Sequence, residues 1–382
     1  MSFRTFASPI FALIAVFCLA TTALAASVAP EISAPSAILM ETSTGRVLYE
    51  KEADTPLPPA SVTKIMTILL IAEAVDSGRI ALEDAVPVSE VAASMGGSQV
   101  YLEVGEQLSV RDMLKAIVIA SGNDAATAMA EYIAGSTEGF VSMMNRRAGE
   151  LGMEHTVFKN CHGLDTEGHL TTARDIALMS IELLERHPWI TEYSTTWMDS
   201  LRGGAFQLAN TNKLLRSYSG ATGLKTGSTG LAKYCLSASA QRDGMQLVAV
   251  VMAAPSTADR FQSAAKLLDF GFANYKKETF PIPLPSPAAV QRGTEEAVDT
   301  VCVPDSITLV TEKSETRSVT ATPLPQEILI APVEKGQTVG EVIFRLGEEE
   351  LGRGRIVTAR AVPRRTLLWQ MLRYLERLTM AA

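Results

Sequence analysis

Cysteine is scarce in this chain, four among 382 residues and each standing alone. That scatter argues against a disulfide framework. Cys161-His162 is the single Cys/His neighbour pair, and with no second pair at ligand spacing a zinc site is not expected. Cys161, Cys235 and Cys302 read as small buried side chains, with at most one optional bridge among them. A basic excess is missing too: 34 Lys and Arg stand against 42 Asp and Glu, a formal net charge of -8. No overall positive field therefore invites nucleic acid, and an anionic partner has to be met by local cations. The apolar run near the N-terminus is too short to span a bilayer, and the C-terminal segment is too charged. There is no internal repeat, no low-complexity tract and no motif that implies a metal or organic cofactor.

What is present is ample core material, 47% hydrophobic against 20% charged residues, enough for two domains. The first 25 residues have the form of a cleaved export signal: Arg4, the apolar run Ile10 to Ala20, which carries Cys18, and the small-residue site Ala23-Leu24-Ala25. The mature protein is expected to start at Ala26 and to work outside the cytoplasm.

From Ala34 to Glu50 the pattern predicts a hairpin turning at Thr44-Gly45. Helices follow: "SVTKIMTILLIAEAV" is apolar all round, the mark of an enclosed helix. "LSVRDMLKAIVIA" opens with the capping pair Ser109 and Asp112, "DAATAMAEYIAG" ends at Gly135, and a further helix runs from near Thr172 to Pro188. Beyond residue 220 the period shortens to two strand-like runs joined at Asp243-Gly244, and "DRFQSAAKLLDFGFANY" returns to helix. Strands from both ends around a helical middle predict an α+β domain over residues 26–277: an antiparallel sheet covered by helices. The proline-rich "FPIPLPSP" suits an extended connection. Short β segments then predict a small all-β sandwich over 278–363, and residues 364–382 an amphipathic helix bearing Trp369 and several arginines, of a kind suited to a membrane surface.

The chemistry concentrates where the enclosed helix begins. Ser61 and Lys64 are three apart and share a helical face, so they can touch. Serine is a weak nucleophile until a base takes its proton, and lysine is that base only when neutral. Burial lowers its pKa from about 10.4, and the apolar helix supplies the burial. The start of the helix leaves the Ser61 N–H without an intrahelical partner, available to a developing oxyanion. Taken alone the pair is a frequent accident of composition. Two further motifs add weight: "SGN", Ser121 to Asn123, between helices, and "KTG", Lys225 to Gly227, on a strand whose glycine allows close backbone approach.

In this order, the three motifs resemble the S-x-x-K, S-x-N and K-T-G elements of the serine penicillin-recognising enzymes. "ILMETSTGRVLYEKEADTPLPPASVTKIMT", "SGNDAA", "HGLD", "TTARDIALM" and "GLKTGSTGLAKYCLSASA" narrow the resemblance to the D-alanyl-D-alanine carboxypeptidases, low-molecular-mass penicillin-binding proteins, from about Ile38 to Tyr275. The β segments and the tail resemble, more loosely, that family's C-terminal domain and membrane anchor. The resemblance implies a penicillin-binding-protein/β-lactamase-like transpeptidase fold. It implies Ser61 as the nucleophile acting on a peptidoglycan stem peptide ending in D-Ala-D-Ala, Lys64 as its base and Ser121 as a proton relay. It makes Asn123 the holder of the substrate amide and gives the oxyanion hole to the N–H groups of Ser61 and Ser228. Lys225 would keep the cleft positive, and Thr226 and Arg260 would receive the terminal carboxylate. β-Lactams would acylate the same serine.

Three other readings stay open. A β-lactamase would need a glutamate for the deacylating water, and Glu167-Gly168-His169-Leu170-Thr171 lacks the expected asparagine. A transpeptidase uses the same residues, and a non-catalytic wall-binding scaffold would not need them intact. His162 and Asp165 of "HGLD", and Asp175, read as structural, because Ser61 and Lys64 already supply nucleophile and base.

Overall fold

The computed structural model describes residues 28–324 and 328–380, with side chains up to residue 373. The expected export signal lies outside the described residues. The first domain is built on a five-stranded antiparallel sheet: β1 (Ser36–Glu41), β2 (Val47–Lys51), β3 (Ala221–Thr229), β4 (Lys233–Arg242) and β5 (Met245–Ala254), in the order β2-β1-β5-β4-β3. The ends of the chain segment meet in its middle, with Ser36 opposite Met252 and Leu39 opposite Ala249. The expected turn at Asp243-Gly244 joins β4 to β5.

Both faces of the sheet are covered, and the period-two alternation of strands sorts the side chains between them. Ile38, Met40, Val248, Val250 and Met252 enter the larger core, with the helices of the middle of the chain. Ala37, Leu39, Leu247, Ala249 and Val251 enter the second core. The larger core holds α1 (Lys64–Asp76), α2 (Val110–Val118), α3 (Asn123–Ala134), α4 (Thr137–Glu150) and α5 (Ala173–Arg186). The second packs α6 (Thr257–Asn274) through Ala264, Leu267 and Leu268. Ser109 caps α2 by accepting from the Asp112 N–H at 3.1 Å. Thr172 does the same for α5 with Asp175. α4 had no counterpart in the sequence reading, because Gly135 ends α3 and Ser136 starts a new helix at once by accepting from the Gly139 N–H. α1 is enclosed as expected, with ten of its thirteen residues buried.

Of the proline-rich segment only Phe280 and Pro281 lie in a strand, and Ile282 to Pro287 carry neither helix nor strand. Strand Tyr275–Pro281 enters it and pairs antiparallel with Ser306–Glu312, so that Lys277 lies opposite Val310. Beyond it, a three-stranded sheet and a four-stranded sheet share one core of Val290, Val298, Cys302, Leu329, Val342, Phe344 and Ile356, which makes a β-sandwich. Arg46 donates to the Val310 carbonyl, tying the two domains, and Lys277 Nζ, at the boundary between them, lies 3.6 Å from Glu41 Oε1. Helix Leu367–Met380 ends the described chain. No helix among the described residues is long and apolar enough to cross a membrane.

Candidate active site

Ser61 does not sit on α1 itself. It lies on the 3-10 turn Ala60–Thr63 that leads into α1, and Lys64 is the first α-helical residue. The tighter turn still brings the pair together, with Lys64 Nζ 3.0 Å from Ser61 Oγ. Lys64 is fully buried. Its Nζ also donates to Asn123 Oδ1 at 2.6 Å and to the His162 carbonyl at 2.7 Å. Two carbonyl acceptors occupy two N–H bonds, so in a neutral amine the lone pair is left for the Ser61 hydroxyl. Burial pushes the Lys64 pKa down to about 7, against a smaller upward pull from Cys161 and Asp124. The amine is therefore substantially neutral near neutral pH.

α2 and α3 are separated by the four residues Ile119 to Gly122, and Ser121 holds a left-handed φ of +66° at the bend. Lys225 Nζ donates to Ser121 Oγ at 2.9 Å and to the Thr226 carbonyl at 3.0 Å. Burial, then the neighbouring Lys64 and Arg260 charges, lower the Lys225 pKa well below its ordinary value. The three motifs thus converge in one chain of contacts, Ser61 to Lys64 to Asn123 on one side and Ser121 to Lys225 on the other. Thr226 is buried, with Oγ1 2.6 Å from Thr211 Oγ1. Ser228 is exposed at the mouth of the cleft, where β3 is an edge strand.

Gly227 packs directly on the nucleophile turn. A Cβ there would lie 2.8 Å from Ser61 N and 2.9 Å from Pro59 O, so only glycine lets β3 come this close. Arg260, from the first turn of α6, reaches the back of the same strand: Nη1 donates to Gly227 O at 3.1 Å and to Cys235 O at 3.3 Å. Its Nε is buried without a hydrogen-bond partner among the described residues, and its guanidinium packs over Tyr234 and Phe261.

Several residues outside the sequence-derived site hold this geometry, among them His162 and Asp165, which the sequence marks as structural. Gly163 has a φ of +90°, and a Cβ there would fall 1.9 Å from the Ala60 carbonyl oxygen. The "HGLD" segment is the other wall of the nucleophile turn, and it also delivers the His162 carbonyl to Lys64. Asp165 clamps that wall to the β3–β4 turn by accepting from Thr229 Oγ1 at 2.6 Å and from the Leu231 N–H at 3.4 Å. His162 and His169 are both held near a pKa of about 4 by burial. His169 Nδ1 accepts from the Lys159 N–H, and Nε2 lies 2.8 Å from Thr63 Oγ1. Asp124 Oδ2 accepts from the Val100 and Leu102 N–H groups, and Asn123 Nδ2 donates to Gly96 O at 2.7 Å, which fixes the loop over the cleft. Asp175 binds the His155 N–H and the Thr156 hydroxyl, away from the serine. Cys161, Cys235 and Cys302 are free and buried.

A serine paired with a buried lysine on an α+β scaffold, facing a K-T-G edge strand, defines a serine acyl-transfer enzyme of the penicillin-binding type. Comparison with known proteins narrows this. The D-alanyl-D-alanine carboxypeptidase family, Peptidase_S11, matches residues 22–256, and the C-terminal domain of penicillin-binding protein 5 matches residues 276–364. D-alanyl-D-alanine carboxypeptidase DacF of Bacillus subtilis is 44% identical over 326 residues, 83% of each chain. Penicillin-binding protein 5 of Haemophilus influenzae superimposes with a TM-score of 0.76 at 29% identity, over 88% of this chain and 99% of its own. Penicillin-binding protein D2 of Listeria monocytogenes, solved in its ampicillin-bound form, gives 0.59 at 33% identity over 64% of this chain and 100% of its own. The chain belongs to the D-alanyl-D-alanine carboxypeptidase family, and it is a serine-type peptidase with that family's penicillin-binding fold.

Proposed function

We propose that Ser61 is the acylated nucleophile and Lys64 its general base, and that the substrate is a peptidoglycan stem peptide ending in D-Ala-D-Ala. The observation that carries this is the Lys64 amine, fully buried among uncharged acceptors and 3.0 Å from Ser61 Oγ. Ser61 attacks the penultimate carbonyl as its proton passes to Lys64, the C–N bond breaks, and D-alanine leaves with a proton relayed through Ser121. The N–H groups of Ser61 and Ser228 receive the oxyanion, Gly227 having allowed β3 to approach the turn. Asn123 holds the substrate amide and the lysine together. Lys225 supplies positive charge to the cleft once the substrate carboxylate arrives to favour its protonated form, with Thr226 and Arg260 meeting that carboxylate. Water then releases the acyl group. β-Lactams acylate the same serine and remain there.

We place the enzyme outside the cytoplasm, on the outer face of the membrane, held by the C-terminal helix. Leu367, Leu368, Met371 and Leu372 on that helix are more than half exposed, and Trp369 stacks with Arg365 and Arg373. The deciding experiment measures D-alanine released from a D-Ala-D-Ala peptide, and covalent penicillin labelling, for the wild type and Ser61→Ala. Release and labelling by the wild type alone are expected. Labelling that survives in the variant overturns the assignment of Ser61.

A further inference from the structure

One cavity beside the nucleophile has no part in the chemistry above. A pocket of about 360 Å³ opens between Pro58-Pro59-Ala60, the loop from Gly163 to Leu170, and Leu231 at the β3–β4 turn. Its walls are largely apolar: the two prolines, Leu164, Leu170 and Leu231. Two carboxylates lie on it, Asp165 and Glu167. They differ in one respect. Asp165 is engaged by Thr229 and Leu231, whereas Glu167 is exposed and forms no hydrogen bond or ion pair among the described residues. His169 in the wall is neutral, its pKa near 4, and Lys159, whose stem lies 3.4 Å from the position a Cβ on Gly168 would take, makes no ion pair either.

Chain direction says what reaches this pocket. β3 runs from Lys225 toward Thr229 and is the edge strand of its sheet. An acyl donor lying antiparallel along that edge, with its carboxylate at Thr226, has its N-terminal part directed toward Thr229 and Leu231. Successive residues of an extended peptide are about 3.3 Å apart, so Thr229 lies about 10 Å along β3 from Thr226, and the residue before the D-Ala-D-Ala unit is the first to come level with it and with the pocket. An apolar trough closed by an unpaired carboxylate is complementary to an alkyl arm that ends in an ammonium group.

We propose that this pocket binds the side chain of the residue preceding D-Ala-D-Ala, and that Glu167 selects a cationic amine at its end. The inference rests on the function proposed above, and its test separates the two. Hydrolysis is compared for two peptides, L-Lys-D-Ala-D-Ala with its α-amine blocked and the same peptide with the ε-amine also acetylated. For the wild type, kcat/KM favours the free ε-amine by about fivefold, the scale of a partly exposed ion pair. Glu167→Gln brings the ratio close to one, Glu167→Lys inverts it, and raising the salt to roughly 0.5 M narrows it in the wild type alone. A wild-type ratio near one, a ratio kept in Glu167→Gln, or an equal loss on both peptides, as expected of a base that activates water, overturns the proposal. D-Alanine released from neither peptide by the wild type would instead sink the function on which it rests.

Discussion

The catalytic cleft and the surface of the β-sandwich handle charge in opposite ways. In the cleft, Lys64 and Lys225 are wholly enclosed, and their hydrogen-bond partners are hydroxyls and carbonyls, with no carboxylate. In the β-sandwich, Arg317, Arg353 and Arg360 are about half exposed and face Glu315, Glu349, Glu341, Glu350 and Glu295. A carboxylate favours the charged form of its partner, and these arginines are all pushed upward in pKa. In the dry cleft burial outweighs the opposing pulls and lowers the pKa of both lysines. A basic side chain is a fixed cation on the sandwich surface and, at Lys64, a proton acceptor in the cleft, and the difference is its partner, its access to water and the lower intrinsic basicity of lysine than of arginine.

The severest way to break this contrast is to remove the pair itself. Ser61→Ala and Lys64→Met should each lower kcat/KM for D-alanine release by about 10³-fold or more, since nucleophile and base act as a unit. Thermal unfolding should show a folded protein in both cases. Activity within tenfold of wild type in either variant would mean that the chemistry lies elsewhere.

Next in size is the wall of the nucleophile turn. Gly163→Ala places a methyl 1.9 Å from the Ala60 carbonyl oxygen at a φ of +90°, so backbone has to move. A displacement of the order of 1 Å in a reacting group costs about a hundredfold, and that loss is expected here in kcat. The β-sandwich should keep its far-UV spectrum. A variant with normal turnover would show that "HGLD" does not hold Ser61 in register.

A cleft lysine can also be given the partner typical of the other domain. The wild type should be inactive at acid pH and gain activity as pH rises through about 7, because only neutral Lys64 accepts the serine proton. Asn123→Asp sets a carboxylate on the amine, which Asn123 Oδ1 now meets at 2.6 Å. The Lys64 pKa should rise by about 1–3 units, and the acidic limb of the kcat/KM profile should move up by the same amount. At pH 7 each unit removes roughly tenfold in activity. An acidic limb that stays near 7 would show that another group governs it.

The sequence disclosed the centre of this site more readily than its frame. Ser61 and Lys64 are local neighbours, and the enclosing helix announces itself by apolar residues on every face, so the dry lysine could be read in fifteen letters. The sheet was equally legible, because strands at both ends of a helical middle leave few arrangements. Distance in the chain hid the frame. The Gly163–Ala60 contact, the Asp165–Thr229 clamp and the Thr211–Thr226 pair join segments with no shared periodicity, through backbone approach and single polar side chains. Asp124 follows the "SGN" motif in plain view, but its role comes from the loop N–H groups at Val100 and Leu102, which only the fold brings to it. The start of α1 moved for a local reason: a 3-10 turn and an α-helix share the i to i+3 contact, so the spacing that pairs Ser61 with Lys64 does not distinguish them.

The smallest expected effect lies in the sandwich, and it is the one that keeps the contrast honest. Arg317 and Arg353 each face two glutamates, and for its size this domain looks well secured by ion pairs. Solvent screens such pairs, and holding long side chains in place offsets much of what remains. Arg317→Ala and Arg353→Ala, singly or together, should leave the unfolding midpoint within about 2 °C of wild type and D-alanine release unchanged. A large drop in the midpoint, sensitive to salt, would mean that these pairs work as a network, and charge would then have a structural task in the second domain as definite as its chemical task in the first.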